Sequence, residues 1–137
     1  MSPLARNIAA VVGGVVFGGL INGLVIALGP HLVPPPPGVD VSNPESLANG
    51  IHLFQPKHFV VPFLAHAAGT FAGALVAYLT AVTHKPRFAY AIGVIFLLGG
   101  IAASFLIPAP RWFVALDLLA AYVPMAWLAI RFGDPKR

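Results

Sequence analysis

Long apolar runs alternate with short polar or proline-rich segments along this chain. Four runs are long enough, at about 1.5 Å per helical residue, to cross a hydrocarbon core of roughly 30 Å. They cover about residues 7–29, 57–82, 88–107 and 111–132. The pattern predicts an all-α polytopic membrane protein, a bundle of four transmembrane helices that forms a single membrane domain over residues 1–137. A cleaved secretory signal is the alternative for the first run, but the run is longer than a usual signal core.

The outer segment, residues 30–56, separates the first two spans and is expected to hold a short helix of its own. Its four consecutive prolines cannot be helical and favour a stiff polyproline II conformation. Ser42 and Glu45 have the spacing of a capping box around Pro44, which predicts a helix from Pro44 to about Phe54.

The predicted outer helix carries one apolar face. Its apolar side chains recur at helical spacing, at Leu47, Ile51 and Phe54. Such a face favours a helix that lies on the membrane surface or against the end of the bundle. The segment could serve as a folded lid or as a plain connector, and the sequence favours neither.

Composition supports a membrane protein and excludes several other classes. The chain is 58% hydrophobic and only 9% charged, far from the average of a soluble domain. The net charge of +4 is the balance of 8 Lys and Arg against 4 Asp and Glu. The basic residues lie at the ends of the runs, a distribution that suits membrane topology and argues against a nucleic-acid partner. Cysteine is absent, which excludes disulfides and thiolate metal sites.

The basic residues also predict the orientation of the chain in the membrane. With four spans, both termini lie on the same side. That side holds Arg6, Lys85, Arg87, Arg131, Lys136 and Arg137, and the other holds Lys57 and Arg111. Because cytoplasmic loops are enriched in Lys and Arg, both termini are expected in the cytoplasm and the proline-rich segment outside.

Small residues in the first two spans predict close helix packing. Gly14 and Gly18 in the first span, and Gly69 and Gly73 in the second, each form a GxxxG pair. Such pairs let helix backbones approach closely in a bilayer, where lipid gives no hydrophobic drive for association. The second-span face is therefore expected to lie inside the bundle or at a homo-oligomer interface.

Polar residues of different spans lie at a similar depth below the outer ends of the helices. Asn22, His66 and Gly100 are each about eight residues deep, or ~12 Å, and Asp117 is about six residues deep, or ~9 Å. An ionised aspartate facing lipid would cost on the order of 3 kcal/mol or more. We therefore expect Asp117 to face inward and pair with His66, with Asn22 and Thr70 completing the hydrogen bonding.

Two interpretations of this polar layer remain open. In the first, His66 and Asp117 carry a proton or orient a ligand in an outward-facing cavity lined by His58, His52 and the outer helix. In the second, the pair is a buried hydrogen bond that fixes helix register.

A metal site is not predicted, although the chain contains five histidines. His58 and His66 are ~12 Å apart along one helix, too far to share an ion. Motifs for zinc proteases, phosphate-binding loops, dinucleotide binding, serine hydrolases and c-type haem are missing from the sequence. No cofactor is predicted.

Three segments resemble a family of small, uncharacterised bacterial membrane proteins. They are PPPPGVDV, ESLANGIHLFQPKHFVVPFLAHAAGTFAGA and IPAPRWFVALDLLAAYVPMAW, and the likeness extends from about residue 8 to residue 128. The resemblance implies a four-span protein of the bacterial inner membrane and implies no activity.

Three functions are compatible with these features. The first is a non-enzymatic binding or accessory protein that contacts membrane lipid, as a homo-oligomer or in a larger membrane complex. The second is a small proton- or ion-coupled transporter or channel, which at four spans would need to oligomerise to enclose a path. The third is an intramembrane lipid-modifying enzyme in which His66 is the general base, oriented by Asp117.

Overall fold

The computed structural model of the protein describes residues 1–134 and Lys136. Every regular element in this part of the chain is helical. The helices are α1 (Pro3–Leu32), α2 (Pro44–Gly50), α3 (Val60–Thr80), α4 (Lys85–Leu106), α5 (Arg111–Ala120) and α6 (Val123–Gly133). Two short 3₁₀ turns, Ile51–Leu53 and Pro56–Phe59, connect α2 to α3.

Four helical stretches are long and apolar enough to cross a membrane. They are Pro3–Leu32, Pro56–Thr80, Lys85–Leu106 and Arg111–Gly133. The mean hydropathy of their most apolar windows lies between 1.7 and 2.2. The all-α bundle of four transmembrane helices is thus confirmed, and the protein is a multi-pass membrane protein. The first helix extends beyond the predicted span at both ends, since Ser2 caps its start and Pro30 is accommodated near its C-terminal end.

Helix α3 is the centre of the bundle and packs against α1, α4 and α6. It crosses α1 where the two GxxxG pairs meet. A Cβ atom added to Gly14 would lie 2.6 Å from the carbonyl oxygen of Gly73, and one added to Gly18 would lie 2.5 Å from that of Gly69. Only glycine fits at these positions. The second-span face is therefore covered by α1 of the same chain.

The half of the bundle away from the outer segment, which we call the inner half, is filled by an apolar core. Side chains of α3, α4 and α6 form it, and the buried members are Ala74, Ala77, Tyr78, Ala89, Ile92, Ala126, Ala129 and Ile130. Alanine predominates in this core, so the helices approach closely. This half of the bundle is closed by packing.

Three hydrogen bonds made by Asn7, near the start of α1, hold the turn between α3 and α4. The buried Asn7 donates from Nδ2 to Thr83 Oγ1 at 2.6 Å, and its Oδ1 accepts from the amides of Val82 at 2.9 Å and Thr83 at 3.4 Å. The three groups would otherwise lack partners at the edge of the membrane domain.

The outer segment covers the outer end of the bundle. Ile51, Phe59 and Phe113 form a buried cluster, and Leu47 and Phe54 pack against it. The apolar face predicted for the outer helix thus contacts the bundle end.

The outer helix begins at Pro44 as predicted, but its end and its N-terminal cap differ from the prediction. It ends at Gly50, where the chain turns into a 3₁₀ conformation, and not near Phe54. Asn43 caps its start and accepts hydrogen bonds from the amides of Glu45 and Ser46, so the capping box predicted for Ser42 is not formed. An asparagine directly before Pro44 is a strong N-cap in its own right.

The last span is interrupted, whereas the sequence predicted one continuous helix over residues 111–132. Helix α5 ends at Ala120 and α6 begins at Val123, with Tyr122 at φ −118° and ψ −85° between them. Pro124 explains the break, because proline has no amide to donate to the carbonyl of Ala120 and its ring clashes with that group. The break lies inside the membrane span, a few residues from Asp117.

Candidate functional site

The structure brings His66 and Asp117 together in the outer half of the bundle. His66 Nδ1 lies 2.8 Å from Asp117 Oδ1, which joins α3 to α5. The Asp117 side chain is 7% exposed and that of His66 is 27% exposed. A carboxylate buried in a membrane span needs such a partner, since an unpaired one would be costly.

Tyr122 is the second partner of Asp117, and the sequence did not predict it. Its hydroxyl donates to Asp117 Oδ2 at 3.0 Å. The Tyr122 ring also stacks on the imidazole of His66, with ring centroids 5.8 Å apart and planes inclined by 24°. Gly100 provides the space for this ring, because a Cβ there would lie 2.5 Å from the Tyr122 hydroxyl.

The three side chains leave one nitrogen of His66 available. Asp117 occupies Nδ1, and the described part of the chain provides no hydrogen-bond partner for Nε2. An imidazole nitrogen in this situation accepts a hydrogen bond when the ring is neutral and donates one when the ring is protonated. Asp117 and Tyr122 fix the ring position, so the site can orient a polar group of a bound molecule.

A cavity of about 260 Å³ lies on the outer side of this group. Its walls are mostly apolar side chains of α1, α2, the 3₁₀ turns, α3, α4 and α5. The polar side chains that reach it are His66, Ser104 and Asp117. We call it the outer cavity. Leu47, Ile51 and Phe54 of the outer segment form part of its wall, which supports a lid more than a plain connector.

A second cavity of about 310 Å³ lies between α1 and α4, and we call it the side cavity. It shares His66, Gly100 and Ala103 with the outer cavity. Asn22 lines it, and the Oδ1 atom of Asn22 is buried with no hydrogen-bond partner among the described residues.

Asn22 and Thr70 do not complete the hydrogen bonding of the His66 and Asp117 pair, contrary to prediction. Thr70 is fully buried, and its hydroxyl donates to the backbone carbonyl of His66 at 2.8 Å, one turn back along α3. Asn22 lies at the side cavity without a bond to the pair. Tyr122 takes the place that these two residues were expected to fill.

The structure also separates His58 from the pair. His58 Nδ1 accepts a hydrogen bond from the amide of Gln55 at 2.8 Å, and its ring packs on Phe54 at 5.2 Å between centroids. Neither His58 nor His52 lines the outer cavity, so that part of the prediction was wrong. His58 instead stabilises the 3₁₀ turn that precedes α3.

No group of three His, Cys, Asp or Glu side chains that could hold a metal ion occurs within the described residues. The absence of a resident metal or cofactor stays a prediction from the sequence.

Comparisons with known proteins found no relative from which a function could be inferred. No family model matches the chain, and no curated protein and no solved structure gave a match. The resemblance to small bacterial four-span proteins therefore stays a prediction.

Proposed function

We propose that the protein is a non-enzymatic binding protein of the bacterial inner membrane, which holds a small, uncharged and mostly apolar molecule. The observation that carries this proposal is the outer cavity, an apolar chamber whose wall includes His66 and Asp117. Tyr122 holds Asp117 in place from outside that wall. Ligand sites of this kind are mainly hydrophobic and contain a few fixed polar groups that orient the ligand. No cofactor is required for such a role.

The apolar inner half of the bundle favours binding over transport. Below the polar layer, the described buried residues of α3, α4 and α6 are mostly apolar. The polar groups among them are the hydroxyl of Thr70, which donates to the carbonyl of His66, and the hydroxyl of Tyr78. A proton or ion would need a polar or hydrated path through this core. A single chain therefore supports a closed binding site better than a channel.

Transport is the second candidate, and the interrupted last span favours it. Broken transmembrane helices often form substrate and ion sites in transporters, and this break lies beside Asp117. Transport predicts pH-dependent flux in sealed vesicles that Asp117→Asn abolishes. Equal flux in wild type and variant, or none in either, would reject this candidate.

We also propose that both termini are cytoplasmic and that the protein contacts lipid as a homo-oligomer or in a larger membrane complex. The six-to-two distribution of basic residues supports the orientation. The chain lacks cysteine, so a single introduced cysteine is the only thiol of the protein that can react with a maleimide. Asn49→Cys, in the exposed outer segment, should react with an impermeant maleimide in spheroplasts, whereas Lys136→Cys should react only after permeabilisation. The reverse pattern would invert the topology.

Native mass spectrometry of gently extracted protein tests the binding function. Wild type should retain a stoichiometric small molecule, and the spectrum also gives the number of subunits. Ala103→Leu fills the space shared by the two cavities and should lose the molecule. Ala102→Leu is the matched control, because Ala102 is exposed and lines neither cavity. Equal retention by both variants would refute the proposed site.

The alternative role of the polar layer, fixing helix register, is tested separately. Asp117→Asn and His66→Gln are made singly and together, and ligand retention is measured beside stability. A binding role predicts that the variants lose the molecule under conditions in which they are still folded. Changes confined to stability would assign the pair a structural role.

A further inference from the structure

We infer that the bound molecule reaches this site sideways from the bilayer, between α1 and α4, and that Asn22 selects a molecule carrying a hydroxyl group. The inference rests on the proposed binding function and adds an access route and a ligand class to it.

The access route lies beside the stretch in which α1 and α4 pack closely. At Gly14 and Gly18 the two helices are close, because a Cβ there would lie 2.9 Å from side-chain atoms of Ile92 and Phe96 respectively. One residue further along α1, a Cβ on Gly19 would meet nothing within 4 Å, and the same holds for Gly99 on α4.

The side cavity occupies the gap between these two helices. Gly19 and Gly99 both line it and both are exposed. Their missing side chains leave the gap unobstructed in a region that faces the hydrocarbon core. The gap leads inward to His66 and Tyr122, which form part of the same cavity wall. A molecule dissolved in the bilayer can thus reach His66 without passing the outer segment.

Asn22 lies beside this route at the level of His66. Helices α1 and α3 run antiparallel, and Gly14 faces Gly73 as Gly18 faces Gly69. The same register continued by one turn places Asn22 level with the residue preceding His66. A Cβ on Gly69 would lie 2.8 Å from Cβ of Asn22, which confirms the close approach.

The amide oxygen of Asn22 determines which chemistry fits. It is buried and lacks a partner among the described residues, and buried polar atoms without a hydrogen bond are rare and costly. A ligand hydroxyl can donate to this oxygen and still accept from another group. A ketone or ether lacks the donor, and a charged ammonium is expensive in hydrocarbon. An apolar alcohol or phenol therefore fits best, and its binding involves no bond breaking.

The access route is tested by photolabelling the protein in lipid nanodiscs with a diazirine-bearing fatty alcohol. Gly19→Leu and Gly99→Leu add side chains at the mouth, where a Cβ meets nothing within 4 Å, and each should slow labelling about tenfold. Gly23→Leu is the control, because a Cβ at Gly23 also meets nothing within 4 Å and Gly23 does not line the cavity. Equal labelling rates in all three variants would overturn lateral access.

The hydroxyl preference is tested with the methyl ether of the same probe. The alcohol should label wild type about tenfold more strongly than the ether does. The ether cannot donate a hydrogen bond, so it leaves the buried amide oxygen of Asn22 unpaired. Asn22→Leu should lose this preference and unfold no more easily than wild type, because it removes an unpaired polar atom. A merely structural Asn22 would instead give lower stability with an unchanged preference.

Failure of this inference is distinguishable from failure of the proposed function. Equal labelling by alcohol and ether, or no labelling by either, overturns the hydroxyl selection. The retention of a molecule by wild type and its loss in Ala103→Leu would still support binding in that case.

Discussion

Replacing Gly69 by alanine tests whether the crossing of α1 and α3 holds the bundle together. The new Cβ would lie 2.7 Å from the carbonyl oxygen of Gly18 and 2.8 Å from Cβ of Asn22. Neither obstacle is a flexible side-chain end, since one is backbone and the other is fixed to it. The helices must separate to admit the methyl group.

The expected magnitude follows from two opposing effects. Overpacking by a methylene-sized group costs about 1–3 kcal/mol. Alanine is favoured over glycine within a helix by about 1 kcal/mol, which offsets part of that cost. We therefore expect Gly69→Ala to be less stable than wild type by up to roughly 2 kcal/mol. Gly18→Ala should behave alike, because its Cβ would lie 2.5 Å from the carbonyl oxygen of Gly69.

The assay is reversible unfolding in mixed micelles, followed by tryptophan fluorescence. Both tryptophans lie in the last span, outside the two mutated helices, so a shifted midpoint shows that the substitution destabilises the bundle cooperatively. The double variant of Gly18 and Gly69 should cost less than the two single changes together, since one separation of the helices relieves both contacts.

Gly23→Ala is the control for this series. It lies on α1 with no atom within 4 Å of the added Cβ, so it should be as stable as wild type or more stable. If Gly69→Ala and Gly23→Ala unfold at the same point, the close crossing is not a source of stability and the argument is wrong.

Three further predictions concern single hydrogen-bonded groups. Tyr122→Phe removes one bond to Asp117 and should cost about 1–3 kcal/mol in the same assay, and an unchanged midpoint would contradict that bond. Asn7→Ala leaves two backbone amides of the α3–α4 turn unpaired, so proteolysis at that turn should accelerate while ligand retention is unchanged. The hydroxyl and amide of Ser42 hold the pKa of Asp40 below its ordinary value. The stabilisation this gives is complete above the ordinary pKa and is lost as pH falls through the lowered one. Ser42→Ala should therefore raise the pKa of Asp40 in an NMR titration.

The four spans could be predicted from sequence because hydrocarbon thickness sets a length that apolar runs reveal directly. The contact between His66 and Asp117 was also predictable, since a buried carboxylate requires a partner and the residues have similar depth. By contrast, Asn7 begins the first apolar run, and its partners lie 75 and 76 residues away in the turn after α3. A contact of that kind has no local pattern, so the sequence alone gave no reason to select Asn7.

Tyr122 shows why the remainder of the site escaped prediction. Tyr122 lies five positions after Asp117 in the sequence. On a continuous helix at about 100° per residue, the two side chains would therefore lie roughly 140° apart around the helix axis. A straight last span therefore places Tyr122 away from the polar layer. The break before Pro124 changes the direction of the chain at Tyr122 itself, and the hydroxyl then reaches Asp117 Oδ2. The proline was the available signal, because the lost amide forces a local departure from the helix. The break that Pro124 causes in the span thus brings Tyr122 to Asp117 as the third side chain of the site. Restoring helix continuity with Pro124→Ala should weaken the bond between Tyr122 and Asp117 and reduce ligand retention, whereas full retention with a continuous span would contradict this role for the break.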